Sequence, residues 1–328
     1  MEQNKLKLEE VARELGVSKT TVSRALSGKG RVSPETTARV RDYVSRSGRG
    51  AGSQPARQAT SNLALVIPSH FVRLDLPFLR KCMGGICRMA AQRGYDVLLC
   101  YADERSTEQL QRQLAARKVD GVILSRTMVV DPCLELVRQH GVPYAAIGRL
   151  ADERALQVDN DQVGAARALT RHLLQTGVRR IAYLSGRINY TVNVDRLLGF
   201  HQALKEYGVP PAPELVFSDV ETPEKRLDAL AAVLERRPEC ILCGDDSLAF
   251  DLLKDLRQRG VCVPGDIRLA SLYDSEILLD TTPTVTAVQF DAEALGTAAC
   301  RLLLDAMSGR EVVPRQVQGF QVVLREST

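Results

Sequence analysis

From Leu63 onward short apolar runs alternate with amphipathic stretches, and this alternation constrains the fold more than any other feature of the chain. The runs LALVIP, DVLLCYA, GVILS and YAAIG form a first set, and RIAYLSG, ELVF, CILCG and IRLASLYD form a second. Between them lie helical patterns at 77–93, 106–117, 161–176, 195–207, 223–236 and 246–259, and glycine stops appear in AAQRGY, VRQHGV, LKEYGV and LRQRGV. Glycine ends helices because it takes the left-handed conformation without a Cβ penalty. Strand–helix–strand units with nearly continuous apolar strands build parallel sheets covered on both faces. Two sets of runs therefore predict two doubly wound parallel-sheet lobes. Such folds bind ligands beyond the carboxyl ends of their strands, which places a site in the cleft between lobes. The polar residues at those ends are Ser125, the pair Asp245-Asp246, and Asp274.

Paired carboxylates also suit the acid and base of a hydrolase. No Ser-His-Asp signature, P-loop or metal-spaced histidine accompanies them, and the chain has only four His. GRGAGS follows no strand, so it is not a dinucleotide fingerprint. The expectation is a binding protein without cofactor or metal, with an α/β enzyme using Asp245 and Asp246 as a competing reading. Cys240 and Cys243 form a lone CxxC inside a strand-like run, without the second pair or His cluster that a zinc site requires. The eight Cys read as reduced thiols, and the N-terminal stretch MEQNKLKLEEVAREL has no apolar signal core. With no apolar run long enough to cross a bilayer, the expected location is cytoplasmic, with no membrane partner.

Charge is concentrated at one end. Residues 1–62 carry 12 Lys and Arg against 6 Asp and Glu, whereas the remaining 266 carry 32 against 34. A basic module on a neutral body suits nucleic-acid binding. Its apolar residues Leu8, Val11, Ala12 and Leu15 are helically spaced, and Gly16-Val17-Ser18 breaks the pattern. Ser18 is a good N-cap for a second helix starting near Lys19, on which Val22, Ala25 and Leu26 share a face. Ser33-Pro34 opens a third helix bearing Val40 and Val44. Two short helices joined by a tight turn, closed by a third, make a helix-turn-helix whose second helix enters the major groove. Lys19 and Thr20 then lie near base edges, and Arg24 offers the forked donors that match guanine. Ser18, Thr21, Ser23, Lys29 and Arg31 suit phosphates.

The stretch LKLEEVARELGVSKTTVSRALSGKGRVSPETTARV closely resembles the headpiece of the lactose-repressor (LacI/GalR) family of bacterial transcription regulators. The match runs through Val11-Ala12, Gly16-Val17-Ser18, Thr21-Val22-Ser23-Arg24, Val32-Ser33, Thr36 and Arg39-Val40. The resemblance continues through RKVDGVILS, VDNDQVGAARALTRHLLQTGVRRIAYLSG, RLLGFHQAL and GDDSLAFDLLKDLRQRGVCVPGDIRLASLYDS. It implies a headpiece at 1–47, a hinge at 48–62 and a periplasmic-binding-protein-like core at 63–328. Within the core, a first lobe of about 63–159 and 286–291 is expected, and a second of about 160–285 and 292–328. It further implies a homodimer on a near-palindromic double-stranded DNA operator, acting as a repressor whose operator affinity is controlled by a small-molecule effector in the cleft between the lobes. Carried over by position, Phe78 and Leu79 would pack on the effector and Arg196 would grip its hydroxyls or carboxylate, with Ser125, Asp245 and Asp274 beside them. Asp245 stands where the family usually has Asn, Gly148 where many members have Asp, and Phe290 and Val220 also depart from sugar-binding members. These changes weaken the case for a simple sugar and admit an amine-bearing ligand. A solute-binding protein with a non-functional headpiece is the alternative.

The segment SGRGAGSQPARQAT, residues 47–60, lies where the family carries a hinge that folds on DNA and wedges a Leu into the minor groove. Ala56-Arg57 survive, Gly50 and Gly52 replace the tyrosine and proline positions, and Ala59 stands in place of the Leu. The expected hinge is disordered without DNA, has Arg57 at phosphate or minor groove, and bends the operator little because Ala59 lacks the bulk to unstack a base step.

Overall fold

The computed structural model describes residues 8–27, 32–46, 59–68 and 76–328. The chain divides into two compact units, Met1–Ala59 and Thr60–Thr328. In the first, α1 (Leu8–Leu15), α2 (Lys19–Ser27) and α3 (Pro34–Arg46) close over Val11, Ala12, Val22, Ala25 and Val40. Gly16 links α1 to α2 at φ +65°, a left-handed conformation that costs glycine little. Leu26 does not join this core and is 38% exposed, because five small and β-branched side chains already fill so small an interior.

The second unit has two lobes, each a six-stranded sheet between helices. Chain order through the first lobe is β1 (Asn62–Ile67), α4 (Pro77–Gln92), β2 (Asp96–Tyr101), α5 (Glu108–Ala115), β3 (Gly121–Leu124), α6 (Pro132–Gln139), β4 (Tyr144–Ile147) and β5 (Gln157–Asn160). The second lobe has α7 (Gln162–Gln175), β6 (Ile181–Leu184), α8 (Thr191–Glu206), β7 (Val216–Phe217), α9 (Pro223–Arg236) and β8 (Cys240–Cys243). It continues with α10 (Asp246–Gln258), β9 (Arg268–Ser271), α11 (Glu276–Leu279) and β10 (Thr286–Gln289). The chain then gives α12 (Ala292–Met307) and β11 (Arg315–Gln318) to the first lobe, and β12 (Gln321–Val323) to the second.

The sheets run β11-β5-β4-β3-β1-β2 and β12-β10-β9-β8-β6-β7. Every pairing of the first is parallel, whereas β12 runs antiparallel to β10 at the edge of the second. This corrects the expected lobe division. Residues 286–289 belong to the second sheet because Thr286 and Ala287 register against Ala270 and Ser271 of β9. Helix α12 belongs to the first lobe, because Leu295, Ala299, Leu302 and Leu303 bury among α4 and the first sheet. An apolar run specifies burial but not which sheet receives it.

Cys240 and Cys243 sit on β8 in different hydrophobic clusters, as residues three apart on a strand must. Burial pushes the Cys240 thiol up to about 12. Among the described residues no helix is long and apolar enough to cross a membrane.

Each lobe is closed by a helix pair in backbone contact. A methyl group at Gly85 on α4 would overlap the Glu293 carbonyl oxygen, and one at Gly296 on α12 would overlap that of Cys82. Gly199 on α8 abuts the Val163 carbonyl in the same way. Overpacking such contacts costs about 1–3 kcal/mol, so Gly296→Ala should lower the urea midpoint of the core by that equivalent. Gly84→Ala, whose nearest neighbour is the Arg88 side chain at 3.6 Å, should leave the midpoint unchanged or raise it; equal losses in both would contradict the packing account.

Candidate functional site

In the headpiece unit, Ser18 Oγ accepts the Thr21 amide at 3.0 Å and lies 2.8 Å from Thr21 Oγ1, which fixes the start of α2. Ser33 caps α3 in the same way, accepting the Thr36 amide at 3.1 Å. With Val22 and Ala25 turned inward, the residues Lys19, Thr20, Ser23 and Arg24 are exposed. Ser18 is exposed and Thr21 half-buried, so both keep a surface while serving as a cap. Lys29 and Arg31, together with the hinge residues Ala56 and Arg57, lie outside the described residues. Ala59 is exposed. Just beyond it the Thr60 and Ser61 amides donate to Asp120 at 3.1 and 2.8 Å, anchoring the entry to β1.

In the second unit the carboxyl ends of the strands converge on a cavity of about 320 Å³. Phe78, Leu79, Ser125, Arg196 and Asp245 all line it. Pro77 opens α4, and Phe78 meets Tyr273 of the other lobe edge-to-face, with ring centroids 5.7 Å apart. Tyr273 in turn stacks on Phe290 at 6.3 Å, so Phe290 backs the aromatic wall instead of lining the cavity. Arg196 is buried on α8, where its Nε donates to Gln162 Oε1 at 2.8 Å and its Nη1 to the Gly244 carbonyl at 2.5 Å. Burial lowers its pKa, while Tyr183, Asp245, Asp159 and Asp246 act in the opposite direction. Asp245 is the N-cap of α10, its Oδ1 accepting the Leu248 amide at 2.9 Å.

Asp274 is placed elsewhere. It forms a two-pronged ion pair with Arg325, at 2.8 Å from Nη1 and 2.6 Å from Nη2, and does not line the cavity. The C-terminal segment after β12 carries Arg325 to Asp274 just beyond β9, a pairing across 51 residues of sequence.

The cavity also gathers residues that no motif in the sequence marks. Arg126 and Thr127 extend the loop after β3, Asp159 and Asn160 end β5, and Thr191 and Asn193 face them from the second lobe beside Asp246, one of the two carboxylates expected there. Ser125 Oγ and Asn160 Oδ1 are buried without a hydrogen-bond partner among the described residues. Buried polar groups are nearly always paired, so these are positions a bound polar molecule would satisfy. Burial pushes the Asp159 carboxyl up to about 7 and that of Asp246 up to about 6, the latter helped by the neighbouring Asp245 charge. Burial likewise lowers the pKa of Arg126. Aromatic surface, three guanidiniums and several carboxyl and hydroxyl groups in one cleft give a site that can grip a polar molecule by its hydroxyls.

Two family models match the chain: bacterial regulatory proteins of the lacI family over residues 7–48, and the periplasmic binding protein-like domain over 170–328. The regulator CelR of Thermobifida fusca is 32% identical over 337 residues, covering 98% of this chain and 97% of that protein. Catabolite control protein A of Priestia megaterium is 25% identical, covering 97% and 98%. A solved CelR–cellobiose complex superimposes with a TM-score of 0.76 at 30% identity, covering 99% of this chain and all of that one (100%). The chain belongs to the lacI family of bacterial regulatory proteins and is a DNA-binding transcriptional regulator controlled by a small-molecule effector.

Proposed function

We propose that this regulator acts as a homodimeric repressor on a near-palindromic operator. On each half-site α2 enters the major groove, with Lys19, Thr20 and Arg24 at base edges and Ser18, Thr21 and Ser23 toward phosphates. Lys29 and Arg31 are assigned to phosphates on the sequence resemblance, and Ala56, Arg57 and Ala59 to a weak hinge. The effector is a sugar of about disaccharide size, held between the lobes. One observation carries this: buried Ser125 Oγ and Asn160 Oδ1 lack partners in a cavity that also presents Arg196 and the Phe78–Tyr273 wall. A related regulator, CelR, has been solved with cellobiose. Thr127, Asn160, Thr191 and Asn193 supply polar groups where Val220 and Gly148 do not. Asp245 caps α10, so its carboxylate is already engaged and an amine is not needed to satisfy it.

A thermal-shift panel of mono- and disaccharides tests the effector class. A ligand at 100 times its Kd stabilises the folded state by about 2.7 kcal/mol, and cellobiose or a disaccharide of its size should raise Tm. Ser125→Ala should reduce that shift at fixed concentration. No response to any saccharide at millimolar levels would end the sugar reading.

On DNA, Arg24→Ala should weaken operator binding by about 1–3 kcal/mol and relax preference at one base pair. Ser23→Ala should weaken all sequences alike. Fluorescence anisotropy on operator and point-substituted duplexes separates the two, and unchanged affinity in Arg24→Ala would remove α2 as the reading helix.

The raised Asp159 carboxyl predicts a pH dependence. Unfolded, Asp titrates near about 4; folded, this one titrates at about 7. Between those values the folded chain holds more protons, so stability falls as pH rises and levels off above about 7. Asp159→Asn should flatten the decline in urea midpoint between pH 5 and 7. Identical slopes in both proteins would count against it.

A further inference from the structure

Two loops meet over one side of the cavity: 125–131 after β3 in the first lobe, and 185–190 after β6 in the second. Backbone joins them. The Val129 amide donates to the Asn189 carbonyl at 2.8 Å, and the Thr191 amide at the start of α8 donates to the Thr127 carbonyl at 3.1 Å. Met128 and Tyr190 thereby pair as one antiparallel bridge. The Thr127 and Thr191 hydroxyls, both buried, hydrogen-bond at 2.5 Å.

Charged groups reinforce the junction. The Arg126 and Arg187 guanidinium carbons lie over the Tyr190 ring, 5.1 and 5.5 Å from its centroid. Such cation–ring contacts strengthen as the pair is desolvated, and Tyr190 is fully buried although it lies in a loop. Arg187 Nη1 donates to Glu104 of the first lobe at 2.5 Å, while its Nε lies 3.0 Å from Glu221 Oε2 in the second. Thr127, Thr191 and Glu221 also line the cavity, so the junction and the ligand wall share residues. The exposed pairs of Arg80 and Lys81 with Glu276 also cross between lobes, but solvent screens them and they contribute less.

We propose that these loops form a latch that must part when the lobes separate, and that its strength sets how much effector binding energy is needed to hold the cleft shut. Donors and acceptors of the bridge sit on opposite lobes, so opening breaks both backbone bonds and the threonine pair together. A ligand moves such an equilibrium only by its preference for one arrangement. A strong latch supplies part of that preference in advance, and a weakened one raises the effector concentration required. The ligand part of this argument rests on the effector reading of the cleft, whereas the latch itself is measurable without any ligand.

Native-state hydrogen exchange on the full chain is the test, followed by a cellobiose titration. The Val129 and Thr191 amides should exchange as slowly as strand amides. Thr127→Val and Glu104→Gln should each speed those two amides at least tenfold, leaving Ile123 and Leu242 protected, and should raise the effector midpoint by a comparable factor. Arg187→Lys, which keeps the charge but loses the fork, should fall between wild type and Glu104→Gln, and it replaces either variant that does not fold. Two results would overturn the latch: Val129 and Thr191 amides exchanging at exposed-loop rates in the wild type, or unchanged protection in the variants. If exchange behaves as stated but no saccharide binds, the latch stands and the sugar assignment alone falls.

Discussion

The chain passes between its two lobes three times, at 160–162, 289–292 and 318–321, and the behaviour of the cleft depends on that constraint. Neither lobe is a continuous stretch. The first borrows α12 and β11 from the C-terminal part, and the second takes β10 and β12. Three crossings keep the lobes joined. The glycine contacts of α4 with α12, and of α7 with α8, bring those helix pairs into backbone contact within each lobe. A ligand held by both lobes can bias their arrangement only by the preference it has for one of them.

The interior of the cleft is polar to a degree that a folding core would not tolerate. Three guanidiniums, five carboxyls and several hydroxyls line it. Their mutual fields moderate what burial does to Arg196 and Asp159: Asp245, Asp159 and Asp246 support the buried Arg196 charge, and Arg196 and Arg149 lower the raised Asp159. Such a site is held by the surrounding sheets, whose apolar strands provide the stability that the cleft withholds.

Much of this architecture was legible in the sequence because apolar strands and glycine-stopped helices mark themselves. The headpiece was more legible still, since its cap serines and turn glycine sit at fixed offsets. What escaped were elements without apolar periodicity. QVDN and RQVQ are polar strands, the second at the edge of the first sheet and the first paired between it and β4, and because QVDN carries no apolar run, nothing in the sequence marks Asp159 and Asn160 as cleft residues. Asp274 was placed in the cleft because it ends a strand, yet its partner Arg325 arrives from 51 residues away. Cross-lobe pairs such as Arg149 with Asp195, 2.8 Å apart, depend on how two separate sheets face each other, and no local pattern encodes that.

Gly148 brings these themes together. It lies at φ +119°, and a Cβ there would overlap Thr127 Oγ1. The space that a side chain at 148 would need is taken by Thr127, whose hydroxyl reaches across to Thr191. Glycine at this position therefore leaves room for a contact between the lobes, and any larger residue there would have to push the Thr127 hydroxyl out of it.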